Sequence, residues 1–159
     1  MSTQSTAAPV RSSIVVEAPV QRAFEVFTQD MKSWWPADHH LLDGELEEMV
    51  FEPRAGGRVY DRATDGRECT WARVLAYEPP DRVVFTWDIS PSWELEADPE
   101  RASEVEVRFS AESEGRTRVD LEHRHLERHG EGWERMHEVV ASPGGWPKTL
   151  EGLAAHLAA

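Results

Sequence analysis

Two histidines, His123 and His125, stand two residues apart in the run TRVDLEHRHL, and imidazole is the side chain best suited to passing a proton near neutral pH. Alternate side chains of an extended strand share a face. Val119 and Leu121 mark one face, so His123 and His125 continue it toward the interior, with Arg118, Asp120, Glu122 and Arg124 opposite. The i, i+2 spacing is compatible with a metal site, but no closed set of further ligands accompanies it. The same placement suits hydrogen bonds within the sheet or at the end of a pocket. The sequence implies neither a metal nor a cofactor. His39 and His40 lie in a loop beside Trp34 and Trp35, either solvated or forming a lid over a pocket. His137 neighbours Met136 on a helical stripe and could reach a cavity; His156, near the chain end, is expected to be exposed.

Aromatic side chains give a second signal. Phe85 and Trp87 share a strand face with Val83, and Trp71 shares one with Cys69, so the sheet offers large flat surfaces to whatever fills its concavity. Ordinary core packing is the commoner explanation for any one of them taken alone. Cys69 beside Trp71 reads as a small buried hydrophobe rather than a nucleophile. Arg73, on the Trp71 parity, and Glu52 are the remaining polar groups expected to face the interior. There is no nucleophile elbow, phosphate loop, HExxH or dinucleotide fingerprint; the GG of RAGGR lies between two strands and suits a turn.

The elements that must position these residues follow from periodicity. Ser12 to Glu17 is a β-branched run. Val20, Ala23, Phe24 and Phe27 then form one helical stripe behind Pro19, Asp30 to Trp35 adds a turn or short helix, and PADHHLLDG is a loop. Period-two patterns follow over 45–52, 57–63, 68–77, 82–88, 103–111 and 117–126. Their connections RAGG, TDG, EPPD and ESEG are short, and one longer loop runs from Ile89 to Ala102. Such links predict an antiparallel meander. Trp133, Met136 and Val140 mark a helix stopped at SPGG, and Trp146, Leu150, Leu153 and Leu157 mark a closing one.

The chain has 159 residues, 17 Lys plus Arg against 30 Asp plus Glu, and a net charge of -13. That length fits one domain, expected over 12–159 behind a flexible segment 1–11. The acidity repels phosphate backbones and anionic lipid, which makes nucleic acid and membrane surfaces poor partners. A single cysteine, no apolar run near the roughly twenty residues needed to cross a bilayer, and an N-terminus without a secretory pattern predict a cytoplasmic protein.

The segments EAPVQRAFEVFT, FEPRAGGRVYDR, DGRECTWARVLAYEPPDRVVFTW, EVEVRF, TRVDLEHRHLERHG and SPGGWPKTLEGLAAHL resemble the START-like, helix-grip proteins (the SRPBCC superfamily), and within them the branch related to the activator of Hsp90 ATPase. The resemblance covers nearly the whole chain from about Ser13. It implies an α+β helix-grip fold, a curved antiparallel sheet wrapped around the C-terminal helix with an elongated apolar pocket between them. It also implies a small hydrophobic molecule as ligand, some members of the superfamily being cyclases or hydrolases, and brings a chaperone into view as a partner. The extra N-terminal domain of the Hsp90-activating proteins is lacking here, which lowers that last expectation. The SPGG break is expected to shorten the gripping helix and widen the pocket mouth.

Together these lines predict a central cavity binding a small hydrophobic or aromatic ligand through Trp71, Arg73, Phe85, Trp87, His123, His125, Trp146 and Glu52. An enzyme using His123 or His125 in the same pocket, and a partner-binding protein acting through the acidic outer face, are the alternatives. Exposed strands or tryptophan loops would support a homodimer.

Overall fold

The computed structural model describes residues 8–36, 39–42 and 44–158. Part of the expected flexible segment 1–11 and part of the PADHHLLDG loop therefore lie outside the described residues. Seven strands run β1 (Val10–Val16), β2 (Leu46–Phe51), β3 (Arg58–Ala63), β4 (Glu68–Glu78), β5 (Arg82–Trp87), β6 (Ser103–Ser113) and β7 (Arg116–Arg124). The helices are α1 (Val20–Gln29), α2 (Trp133–Ala141) and α3 (Trp146–Ala158), with short 3-10 turns at Met31–Ser33, Pro99–Arg101 and Leu126–His129. All neighbouring strands are antiparallel, in the order β1-β7-β6-β5-β4-β3-β2. The sheet is curled into a half-barrel around the C-terminal helix, an α+β helix-grip arrangement.

The meander follows from its turns: apart from the longer β5–β6 loop, each link from β2 to β7 is too short for a crossover, so those strands must pair antiparallel. Only β1 joins out of sequence order, lying beside β7 with Val10 opposite His123 and Val16 opposite Thr117. The corner between β1 and α1 is fixed by Thr117 Oγ1, which donates to the Ala18 carbonyl at 2.8 Å. Strand β1 starts at Val10, inside the N-terminal segment set apart by composition, because its pairing with β7 extends to that residue.

The inner face carries the core. Phe27, Phe85, Leu121, Leu150 and Leu153 are fully buried beneath the sheet's curl. Helix α3 buries Trp146, Leu150, Leu153 and Leu157 as its stripe predicts. Its Gly152 lets the helix approach closely, since a Cβ there would sit 2.5 Å from the Trp34 carbonyl oxygen. Gly145 does the same for the α2–α3 turn, where a Cβ would meet the Val140 carbonyl at 2.3 Å.

The outer face is polar and paired. Glu106 bonds Arg82 and Arg124 and lies 2.7 Å from Arg108. Burial opposes its ionisation, but the bonds from Arg82 and Arg124 outweigh that and hold its carboxyl below the usual carboxylate range. Much of the chain's charge is thus spent within cross-strand ladders. No helix among the described residues is long and apolar enough to cross a membrane.

Candidate functional site: an indole-walled cavity with a His–Asp pair

A cavity of about 260 Å³ opens between the sheet, the α2–α3 turn and the loop after α1. Its walls are chiefly indole rings: Trp35 from the segment after α1, Trp71 from β4, Trp87 from β5 and Trp146 at the start of α3. They form a contiguous ring set, with centroids 5.4 Å apart for Trp35 and Trp71, 5.9 Å for Trp71 and Trp87, 5.4 Å for Trp87 and Trp146, and 6.0 Å for Trp35 and Trp146. Trp93 and Val139 stand at the mouth, both partly exposed, with Gly144 and Gly145 beside them. A Cβ at Gly144 would meet nothing within 4 Å, so the SPGG turn contributes open space to the rim.

Two polar side chains give this apolar wall its chemistry. Asp61, on the inner parity of β3 between Val59 and Ala63, is buried. A carboxylate taken out of water needs partners, and it has two: Trp71 Nε1 donates to Oδ1 at 3.2 Å, and His40 Nδ1 lies 2.9 Å from Oδ2. A carboxylate is an acceptor, so His40 Nδ1 carries a proton, and in the neutral tautomer that this bond selects Nε2 keeps its lone pair. Because His40 lines the cavity, the pair is a base–orienter arrangement opening on an apolar chamber. Cys69, also near Asp61, is pushed up to about 11 by burial and then by the Asp61 charge, which keeps it an inert thiol.

Behind the Trp87–Trp146 wall lies a second polar cluster. Trp146 Nε1 donates to His123 Nδ1 at 3.0 Å, and an indole N–H can only donate. The proton of neutral His123 is therefore on Nε2, from which it is donated to Ser103 Oγ at 2.7 Å; the Ser103 hydroxyl then donates to His129 Nε2, also at 2.7 Å. Burial, with the charges of His129 and His137 adding to it, lowers His123 to about 3, and burial chiefly lowers His129 as well. Both imidazoles are held neutral, and their visible effect is to fix the Trp146 ring.

The residues singled out from sequence are distributed as follows. Trp71, Trp87 and Trp146 line the cavity. Phe85 is fully buried between Phe51 and Trp71 and does not reach the chamber. His123 faces inward as its parity requires but sits behind the wall. His125 leaves the strand: β7 ends at Arg124 and His125 takes φ 65°, left-handed, so alternation no longer governs it. Arg73 is on the outer face, bonded twice to Asp88 at 3.1 Å. On β4 the register slips by one residue, Ala72 pairing with Val59 but Thr70 with Tyr60, so Trp71 is the extra residue of a bulge and strict alternation does not carry from it to Arg73. Glu52 caps the β2–β3 turn, accepting from the Arg58 backbone N–H at 2.7 Å. His137 bonds the Ala8 carbonyl.

In the sequence His40 stands out only as a lid candidate, and no motif or spacing marks His129. A lone acid on the Val59–Ala63 face was the available signal for Asp61. Among the described residues, no group of three or more His, Cys, Asp or Glu is placed to hold a metal ion.

A half-barrel gripping a helix, with an aromatic-lined cavity between them, is the helix-grip arrangement. Within it, this chain belongs to the family described as activator of Hsp90 ATPase homolog 1-like protein, matched over residues 17–158. Among solved structures it is similar to an anthrahydroquino-gamma-pyrone synthase, Txn09, at 42% identity over 94% of this chain and 97% of that one, with a TM-score of 0.66. It is also similar to the self-sacrificing resistance protein CalC from Micromonospora echinospora, at 28% identity over 94% of this chain and 93% of that one (TM-score 0.68). A protein from Mesorhizobium loti, at 20% identity over 95% of this chain and 97% of that one (TM-score 0.62), shares the fold. No curated protein matches.

Proposed function

We propose that the chain binds a flat, polycyclic aromatic molecule in the indole-walled cavity and promotes a ring closure on it, with His40 moving the proton. The observation that carries this is the His40–Asp61 pair at 2.9 Å, opening on a chamber lined chiefly by aromatic and aliphatic surface, with His39 and Thr149 as its other polar side chains. Flat ligands gain most from such walls, through apolar burial and offset or edge-on ring contacts. A ring closure transfers one proton from the attacking group to the group that receives its electrons. An imidazole beside both can accept that proton and return it, while Asp61 stabilises the imidazolium in between. The 42% identity to an anthrahydroquino-gamma-pyrone synthase supports this reading.

Flat aromatic ketones carrying a free hydroxyl are the compounds to offer, with turnover followed by absorbance. In His40→Ala, kcat is expected to fall about 10²- to 10⁴-fold while ligand affinity, read by thermal shift, changes little. Equal turnover in wild type and His40→Ala would remove the catalytic assignment. Binding without turnover is the second reading, and the likeness to a resistance protein favours it; it requires tight binding and no product from any of these compounds.

A further inference from the structure

The loop after β5 folds back on itself as a small hairpin that reaches the cavity mouth. Ile89 and Leu95 bridge antiparallel, the Glu96 N–H donates to the Asp88 carbonyl at 2.9 Å, and the Ser90 N–H donates to the Glu94 carbonyl at 2.7 Å. Pro91, Ser92 and Trp93 make the turn, which the Trp93 N–H closes on the Ser90 carbonyl at 2.8 Å. Three-residue hairpin loops of this kind put their last residue in the left-handed region, where glycine is the favoured occupant. Here that residue is a tryptophan at φ 62°.

An indole at this position is unfavourable on two counts. A residue with a Cβ is strained at positive φ, and Trp93, at 40% exposure, is the most exposed of the chain's seven tryptophans, so apolar surface is left in water. The turn is also held in place: a Cβ on Gly132, at the start of α2, would sit 2.9 Å from Pro91 Cβ. Strained residues that their surroundings hold in place cluster at ligand clamps and other functional positions. What distinguishes Trp93 is its location. It lines the cavity mouth with the half-exposed Val139, outward of the buried indoles Trp35, Trp71, Trp87 and Trp146.

We propose that Trp93 is the capping residue of this cavity, closing on the outer edge of a flat, fused-ring ligand and selecting it over a single ring that ends among the four inner indoles. This rests on the ligand-cavity reading above and adds to it the ligand size that the site selects. The exposed indole and Val139 leave water only when a ligand extends to the mouth. A cap acts after entry, so its contribution lies in the dissociation rate.

Two uncharged, flat ketones with a free hydroxyl test it: ortho-hydroxyacetophenone, with one ring, and α-hydroxyanthraquinone, with three. Affinity and the heat-capacity change of binding are measured by calorimetry, and dissociation by stopped flow, in the full-length wild type, Trp93→Gly, Trp93→Phe and Leu95→Ser. Glycine suits the left-handed turn and removes only the ring; Leu95, exposed in the same hairpin, does not line the cavity and serves as the control. Wild type is expected to bind the three-ring probe more tightly. Trp93→Gly should weaken that probe by about 3- to 10-fold, the size of one aromatic ring pair, through faster dissociation and with a less negative heat-capacity change. The one-ring probe should be unaffected, Trp93→Phe should recover most of the loss, and Leu95→Ser should show none. Unchanged three-ring affinity in Trp93→Gly overturns the proposal, as does an equal loss for both probes, an equal loss in Leu95→Ser, or a wild type that prefers the single ring. In each of those cases the wild type still binds, so the cavity reading stands and this inference alone falls. If neither probe binds the wild type, both fall.

Discussion

The hollow of the sheet has two ends built from different aromatic residues. At one end Phe24 and Phe27 of α1 meet Phe109 edge-on, at 5.2 Å and 5.6 Å between centroids, and Phe51 meets Phe85 edge-on at 5.9 Å. At the other, Trp35, Trp71, Trp87 and Trp146 surround an open chamber. Phenyl rings have no polar atom and turn freely into whatever orientation closes the gap. Three of the four wall indoles are tethered by their N–H to the His39 carbonyl, Asp61 and His123, so their planes are set by hydrogen bonds as well as by packing. A wall held at fixed angles can leave a space that a freely repacking one would fill.

That contrast can be broken most forcefully at the phenylalanine end. Phe27→Ala should destabilise the protein by about 3–5 kcal/mol, because a fully buried ring leaves a hole its neighbours only partly refill; urea unfolding measures it. A loss below about 1 kcal/mol would mean that this end is not the solid half of the core.

A smaller effect, about 2 kcal/mol, is expected for His123→Phe, which keeps a ring but leaves the Trp146 N–H without its acceptor. Ligand affinity should fall with it, since the Trp146 plane is no longer fixed. The same variant sharpens the comparison through pH. His123 is held neutral in the fold, at about 3 against an ordinary 6.5. Between those values the unfolded chain binds a proton that the folded chain refuses, so stability is full above pH 6.5 and declines as pH falls toward 3. The slope should be shallower in His123→Phe but not absent, because His129 is shifted in the same direction. Thermal melts across that range read it directly.

The smallest effect belongs to the outer face. Arg73→Ala removes a half-exposed ion pair with Asp88 and should cost under about 1 kcal/mol, with no change in ligand affinity. An affinity loss would show that Arg73 communicates with the chamber after all.

Strand and helix placement was legible because turn residues and alternation agree along the chain: β2 to β7 lie within the period-two segments to within a residue or two, and the α3 stripe is buried as spaced. The three wall tryptophans Trp71, Trp87 and Trp146 were legible for the same reason. Arg73 and His125 show where that logic stops, since alternation holds only while the backbone is regular. A bulge interrupts it before the first, and a left-handed residue ends the strand before the second.

The sequence alone determined the meander, the closing helix and the aromatic character of the interior, all of which depend on local propensity and spacing. The tertiary structure decided which polar groups matter. His40 and Asp61 come from a loop and a strand 21 residues apart, and Ser103, His123 and His129 meet across β6, β7 and the turn beyond. Hydrogen bonds of that kind depend on distances in space, which the curl of the sheet sets and no period in the chain records.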